Sequence, residues 1–301
     1  TLEEVIGIRG ERGNGSLADL GVSYKQVDLK DNKVDYDALR AAIDPRVKAV
    51  EIQRSKGYAW RDSFSVDEIG EIISFVKSIN KDIICIVDNC YGEFVDTKEP
   101  TEVGADLMVG SLIKNPGGGL ARSGGYIAGS ARCVELVSYR LTCPGIGREC
   151  GATLGNNRSM YQGFFMAPHI VAQSIKTGIF CSALFSKLGF DVTPRFNDKR
   201  SDIITSIKLE SEDNLVAFCC GVQSGSPIDS FVVPAPWDMP GYEDRVIMAA
   251  GAFTQGSSIE VSADGPIREP YIGYFQGGLT YESAKLSVML GAQRVLAEVK
   301  K

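Results

Sequence analysis

The chain has 301 residues with a net charge of -6, and its 44% hydrophobic and 23% charged residues carry both signs interspersed. That length exceeds one ordinary core, so two domains, or one large and one small, are expected. The composition excludes extended disorder. The acidic balance offers no basic stripe for nucleic acid or an anionic membrane, which leaves a small molecule as the expected partner.

In chain order, Thr1-Leu2-Glu3-Glu4 lacks an initiator Met and reads as the first turn of a helix capped by Thr1. A missing N-terminal segment, holding some members of the site, is therefore expected. To about residue 150, strand-length apolar runs alternate with helical patterns, as parallel βαβ units do. Val47 to Ile52 is a β-rich run, Val66 to Ile79 has apolar residues at helical spacing, and Ile83 to Val87 is a continuous apolar strand. Ala105 to Val109 makes a further strand, a glycine-rich stretch through Gly119 reads as a site rather than core, and Gly125 to Ala128 resumes a strand. From Gly155 to Leu188 the pattern is helical, with Pro168 and Gly178 as expected breaks. Ile203 to Leu209 and Leu215 to Cys220 read as strands on either side of an acidic turn, with Cys219 and Cys220 in the core. Glu282 to Val299 reads as a closing helix with Leu286, Val288, Met289, Leu290, Val295 and Leu296 turned inward. The expected fold is α/β, with a larger domain over residues 1–188 built on a mostly parallel sheet and a smaller α+β domain over 189–301.

Eight cysteines without a Cys-x-x-Cys pair suit a reduced compartment, and the single His169 removes zinc His clusters and His-based triads. No long apolar run and no opening signal segment are present, so a cytoplasmic location without membrane contact is expected. His169 itself reads as an ordinary helix residue. Tyr58 and Trp60 either line a site or pack.

Two motifs carry the chemistry. Ile86-Val87-Asp88-Asn89-Cys90-Tyr91 ends one buried strand, and Gly110-Ser111-Leu112-Ile113-Lys114-Asn115-Pro116 ends the next, followed by Gly117 to Gly119. Residues just beyond the carboxyl ends of parallel strands meet in one crevice, so Asp88 and Lys114 are expected to reach a common ligand. A carboxylate and an amine in one pocket suit pyridoxal phosphate, which needs an amine for a Schiff base and an acid beside its ring nitrogen. Alone, Asp88 would read as a turn or cap residue and Lys114 as a solvated lysine; their pairing favours a site.

The Val-Asp-Asn-Cys-Tyr and Ser-Leu-Ile-Lys segments resemble the Val-Asp-Asn-Thr-Tyr and Ser-x-Thr-Lys motifs of the cystathionine and methionine lyase family. Ser111 to Gly119, Arg148-Glu149-Cys150-Gly151 and Tyr274-Phe275-Gln276-Gly277-Gly278 resemble its methionine gamma-lyase-like, aluminium-resistance branch. The resemblance implies an aspartate-aminotransferase-like fold (type I of the pyridoxal-phosphate enzymes), Lys114 as the Schiff-base lysine, Asp88 as partner of the ring nitrogen and Ser111 as a phosphate ligand. Gln53-Arg54-Ser55-Lys56 stands where the family meets the ring hydroxyl, which places Ser55 among the cofactor ligands, and Ile113 replaces a threonine. Arg268, or alternatively Arg54, is expected to grip the substrate carboxylate. The resemblance further implies a homotetramer and a carbon-sulfur lyase working by β- or γ-elimination on a sulfur-containing amino acid. Transamination on the same cofactor, and a non-catalytic binding protein on the same fold, are the alternatives. Lys114 must spend time neutral to move a proton, and a partly dry pocket together with the cofactor's charge is expected to lower its pKa.

Overall fold

The structure, a computed structural model, describes residues 2–10, 13–141, 143–150 and 154–300. The expected Thr1 cap and Gly151 of the Arg148 motif lie outside them. A short helix α1 (Leu2–Ile6), a ribbon of β1 (Leu29–Lys30) and β2 (Lys33–Val34), and helix α2 (Tyr36–Ala42) lead into the first sheet.

That sheet has the order β3 (Ala49–Gln53), β4 (Ile84–Asp88), β5 (Leu107–Ser111) and β6 (Gly125–Gly129). The first three strands are parallel; β6 returns antiparallel to β5, so the expectation of a mostly parallel sheet holds for three strands of four. Helix α3 (Val66–Ile79) makes the crossover from β3 to β4. Its start is set by a capping box, in which Glu68 N donates to Ser65 Oγ while Ser65 N donates to Glu68 Oε2. Its stripe of Ile69, Ile72, Ile73 and Val76 packs on Ile52, Cys85 and Val87 of the strands.

After α4 (Ala131–Leu141), the 31-residue helix α5 (Asn157–Lys187) runs past both residues expected to break it. Pro168 costs one backbone hydrogen bond but leaves the helix continuous. Gly178 is a packing residue: a Cβ there would sit 3.0 Å from Arg200 Nη1 and from Thr205 Oγ1.

The second sheet is antiparallel throughout, with the order β7 (Val192–Thr193), β8 (Thr205–Lys208), β11 (Ile272–Gln276), β10 (Ser262–Pro266) and β9 (Val246–Ala249). On one face Ile207, Ile247, Ala263 and Phe275 meet the end of α5, α6 (Glu212–Ser224) and α7 (Tyr281–Val299), with Phe185 and Phe218 at the centre. Each such phenylalanine contributes roughly 1.5–3 kcal/mol by burial. The expected strand over Leu215 to Cys220 is instead the middle of α6. A continuous apolar run suits a helix buried on several sides as well as a strand, and Ser211 caps it by accepting from Asn214 N. Cys219 and Cys220 are buried, as expected, but in that helix.

Helix α7 is also turned differently from expectation. Leu286 and Met289 are half exposed, while Ala284, Ser287, Val288, Gly291, Ala292 and Val295 form the buried face. Small residues win because α6 and α7 nearly touch: a Cβ on Gly221 would lie 2.5 Å from Gly291 Cα. Among the described residues, no helix is long and apolar enough to cross a membrane. Gly221→Val is expected to force the two helices apart and lower stability by about 1–3 kcal/mol in urea denaturation, against little change for Leu286→Ala on the exposed face.

Candidate active site

The parallel register sets Gln53 beside Asp88 and Asp88 beside Val109, so β3 and β4 end level and β5 runs two residues further, to Ser111. Backbone bonds extend the ladders beyond the strands: Arg54 N donates to the Asp88 carbonyl at 3.0 Å, and Asn89 N to that of Val109 at 2.9 Å. Asp88 Oδ1 accepts from Cys90 N at 3.1 Å, the turn that a strand-end aspartate makes. Tyr91 then takes a left-handed backbone (φ 72°), and the Lys114 Nζ lies 4.3 Å from the centroid of its ring. Ser111, one turn before Lys114, accepts from Lys114 N through its carbonyl at 3.3 Å. The two motifs thus meet at one sheet edge.

Gly117 to Gly119, expected to mark a ligand site, seat this loop on α5. A Cβ on Gly118 would stand 2.5 Å from the Gly163 carbonyl, and one on Gly163 would stand 2.1 Å from the Gly117 carbonyl. Only glycine permits backbones that close.

The charge environment of Lys114 differs from expectation. Burial acts to lower its pKa, but Tyr91, Cys90 and Asp88 outweigh burial and hold it above the ordinary lysine value. Burial pushes the Cys90 thiol up to about 12.

Opposite Lys114 stands a wall in which the motif residues Tyr274 and Gln276 join Ser206, Ser262 and Asp264, three residues that the sequence did not single out. Ser206, Ser262, Asp264, Tyr274 and Gln276 share the face of the second sheet turned away from α6 and α7, as the pairings Ser262 with Gln276, Asp264 with Tyr274 and Tyr274 with Ser206 require. Tyr58 donates its hydroxyl to Asp264, and Gln276 Nε2 donates to the same carboxylate at 3.4 Å. Burial pushes Asp264 up to about 6 against the pull of those bonds and of the Lys114 charge. Tyr58 packs on Tyr274 at 5.1 Å and on Tyr242 at 5.7 Å between centroids, while Trp60 joins Ile204 and Ile272. Tyr58 therefore faces the site and Trp60 packs. The signal in the sequence is the run Ser262-Ala263-Asp264, whose polar residues alternate about a buried alanine.

The remaining expected residues separate. Ser55 is buried, with its carbonyl accepting from Arg61. Arg268 is exposed, donates Nη1 to Asp244 at 3.0 Å and reaches the Tyr58 carbonyl at 3.4 Å. Arg54 is 0% exposed, with Nη1 donating to Asn89 Oδ1 at 2.7 Å. The guanidinium is enclosed, and its Nε and Nη2 have no hydrogen-bond partner among the described residues. His169 lies on the exposed side of α5.

The chain has relatives of known sequence and structure. The sequence matches the family model described as methionine gamma-lyase over residues 1–296. It is 57% identical to the uncharacterized protein YnbB of Bacillus subtilis over 96% of this chain and 69% of that one. A crystal structure from Clostridium novyi, of a carbon-sulfur lyase involved in aluminum resistance, superposes with a TM-score of 0.92 at 55% identity, covering 98% of this chain and 69% of that one. Cystathionine gamma-lyase from Lactobacillus plantarum shares the fold, with a TM-score of 0.58 at 16% identity over 94% of this chain and 72% of that one.

Asp264 generates a test. A carboxyl raised from 3.8 to about 6 on folding keeps its proton in the folded state where the unfolded chain has lost it. Its contribution to stability is therefore present at about pH 4 and lost as pH rises to about 6. Asp264→Asn should remove up to about 3 kcal/mol of that decline, read as a smaller difference in urea unfolding between pH 4 and pH 7 than in the parent.

Proposed function

Because the chain belongs to the methionine gamma-lyase family, we propose that it is a pyridoxal-phosphate-dependent carbon-sulfur lyase, with Lys114 as the residue that joins the cofactor. The observation that carries this is the meeting of Lys114 and Asp88 at adjacent ends of one sheet, with the amine over the Tyr91 ring.

The donor set fits the group. Lys114 is a partly buried amine, Asp88 is a carboxylate one strand away, Ser111 ends β5 and Ser55 follows just beyond β3. When bound, pyridoxal phosphate supplies an electron sink for negative charge at the substrate Cα. Asp88 would keep the ring nitrogen protonated, and Ser111 and Ser55 would hold the phosphate and ring oxygens. Lys114 carries the mobile proton at Nζ. The Asp88 charge that favours its ammonium must be shared with a bound cation before the free amine can accept a proton from Cα. Tyr58 and Asp264 close the opposite wall, and the aromatic rings beside them keep water from the proton in transit.

Arg268 is the anchor proposed for the substrate carboxylate. Its partner Asp244 holds it through an exposed ion pair, worth at most about 1 kcal/mol, so exchanging it for another carboxylate costs little. The chemistry is loss of a sulfur leaving group from the β or γ carbon, releasing a 2-oxo acid and ammonia. A homotetramer belongs to the same reading, supported by the exposed Leu154, Tyr161, Phe164 and Phe165 at the start of α5.

The protein loaded with pyridoxal phosphate should absorb in the visible, and borohydride reduction should fix the cofactor to Lys114, located by peptide mass spectrometry. Lys114→Ala should lose both signals, and Asp88→Ala should retain the label while turnover of cystathionine or methionine to pyruvate or 2-oxobutyrate falls at least about a hundredfold. A parent with neither the band nor the label would sink the proposal.

A further inference from the structure

Beneath the two strand-end motifs runs a buried polar network that the chemistry above does not use. Arg54 is among the largest fully enclosed side chains in the protein. Besides its bond to Asn89, its Nη1 lies 3.7 Å from Glu99 Oε2. Asn89 Nδ2 donates to Glu99 Oε2 at 2.8 Å and to Tyr126 Oη at 3.2 Å. Tyr126 Oη donates to Glu93 Oε1 at 2.9 Å, and Asn115 Nδ2 donates to the Glu93 carbonyl at 3.1 Å. Asn89 and Asn115 are both 0% exposed, and they are the residues that follow Asp88 and Lys114.

Two glycines make room for this network. A Cβ on Gly92 would stand 2.4 Å from Arg54 Cζ, and one on Gly110 would stand 2.3 Å from Glu93 Oε1 and 2.4 Å from Tyr126 Cε1. Burial pushes Glu93 up to about 8, so near neutrality Glu93 offers the Arg54 guanidinium little charge. Enclosing a guanidinium is costly, and apolar side chains of similar volume commonly serve stability as well or better. A gain other than stability is needed to account for it.

We propose that Arg54 is a positioning residue: acting through Asn89, and from Asn89 onward through Tyr126, Glu93 and Asn115, it fixes the separation and relative orientation of Asp88 and Lys114. This rests on the cofactor reading above. Asn89 has no freedom to turn while its carbonyl accepts from Arg54 and its amide donates to Glu99 and Tyr126, and the peptide that it shares with Asp88 is held with it. On the other side Asn115 is tied to the Glu93 backbone, whose side chain the Tyr126 hydroxyl links back to Asn89. The network thus spans the tips of β4 and β5 and the start of β6, and it bridges two groups that must meet one planar ligand from different strands.

The test compares the parent with Arg54→Met and Tyr126→Phe, the second removing one hydroxyl while keeping the ring. For each, the dissociation constant for pyridoxal phosphate is taken from a titration of the visible band, together with the pH midpoint of that band and the thermal midpoint of the protein before loading. Arg54→Met is expected to weaken cofactor binding roughly tenfold or more, and Tyr126→Phe roughly three- to tenfold. The pH midpoint should move by about half a unit or more in both, because Asp88 and Lys114 no longer hold their relative places. Should Arg54→Met fail to fold, Tyr126→Phe decides the matter alone. Variants that melt earlier yet keep the parent's affinity and pH midpoint make Arg54 a packing residue and overturn the proposal. A parent that takes up no pyridoxal phosphate overturns the cofactor reading instead, and the positioning role falls with it.

Discussion

The parallel register of β3, β4 and β5 is the constraint on which the rest depends. Gln53, Asp88 and Val109 stand level because the hydrogen-bond ladders leave no slip, and a shift by one residue would turn every apolar side chain of these buried strands to the wrong face. With the strands pinned, the residues immediately beyond them have nowhere to go but one crevice. Arg54, Asn89 and Ser111 with the turn to Lys114 are placed by that geometry. The capped helix α3 and its isoleucine stripe hold the register from below, so a helix remote from the chemistry sets the position of its acid.

The second sheet answers the first with two unlike faces. One is apolar and locked onto α6 and α7, whose mutual glycine seam lets the helices lie closer than larger residues allow. The other carries buried hydroxyls, an amide and a carboxylate beside tyrosines. Period-two alternation makes both faces from the same strands, so the rigidity of the apolar side is passed to the polar wall. Between wall and sheet edge, Lys114 experiences opposing influences. Desolvation disfavours its charge, but Tyr91, Cys90 and Asp88 together outweigh it, with the Tyr91 ring centroid 4.3 Å from the amine.

Arg54 shows the same competition in a more enclosed place. Its Nη1 meets Asn89 and Glu99 while its buried Nε and Nη2 find no hydrogen-bond partner among the described residues, and glycines at 92 and 110 leave space where any side chain would collide. Such a group cannot be read as a surface anchor, whatever its place in the chain. Arg268, by contrast, follows β10 on the outside, where its ion pair is screened by water and easily exchanged.

Much of this was legible in the residues. The spacing of Val66 to Ile79, the short β-rich runs around 49, 84 and 107, and the ends of the last helix all follow from local periodicity and capping, which act between near neighbours. The pairing of Asp88 with Lys114 was legible for a related reason: each closes an apolar run, and parallel strands bring such ends together. Local pattern was therefore enough to place the first sheet, its acid and its amine. Tertiary structure alone decided that Leu215 to Cys220 is a helix, that α7 buries its small residues, that Arg54 turns inward and that Asp264 faces Lys114 across the crevice. Each of those outcomes depends on contacts between segments far apart in the chain, where the space left by one backbone and the charge left by another select the side chain, and no local pattern encodes either.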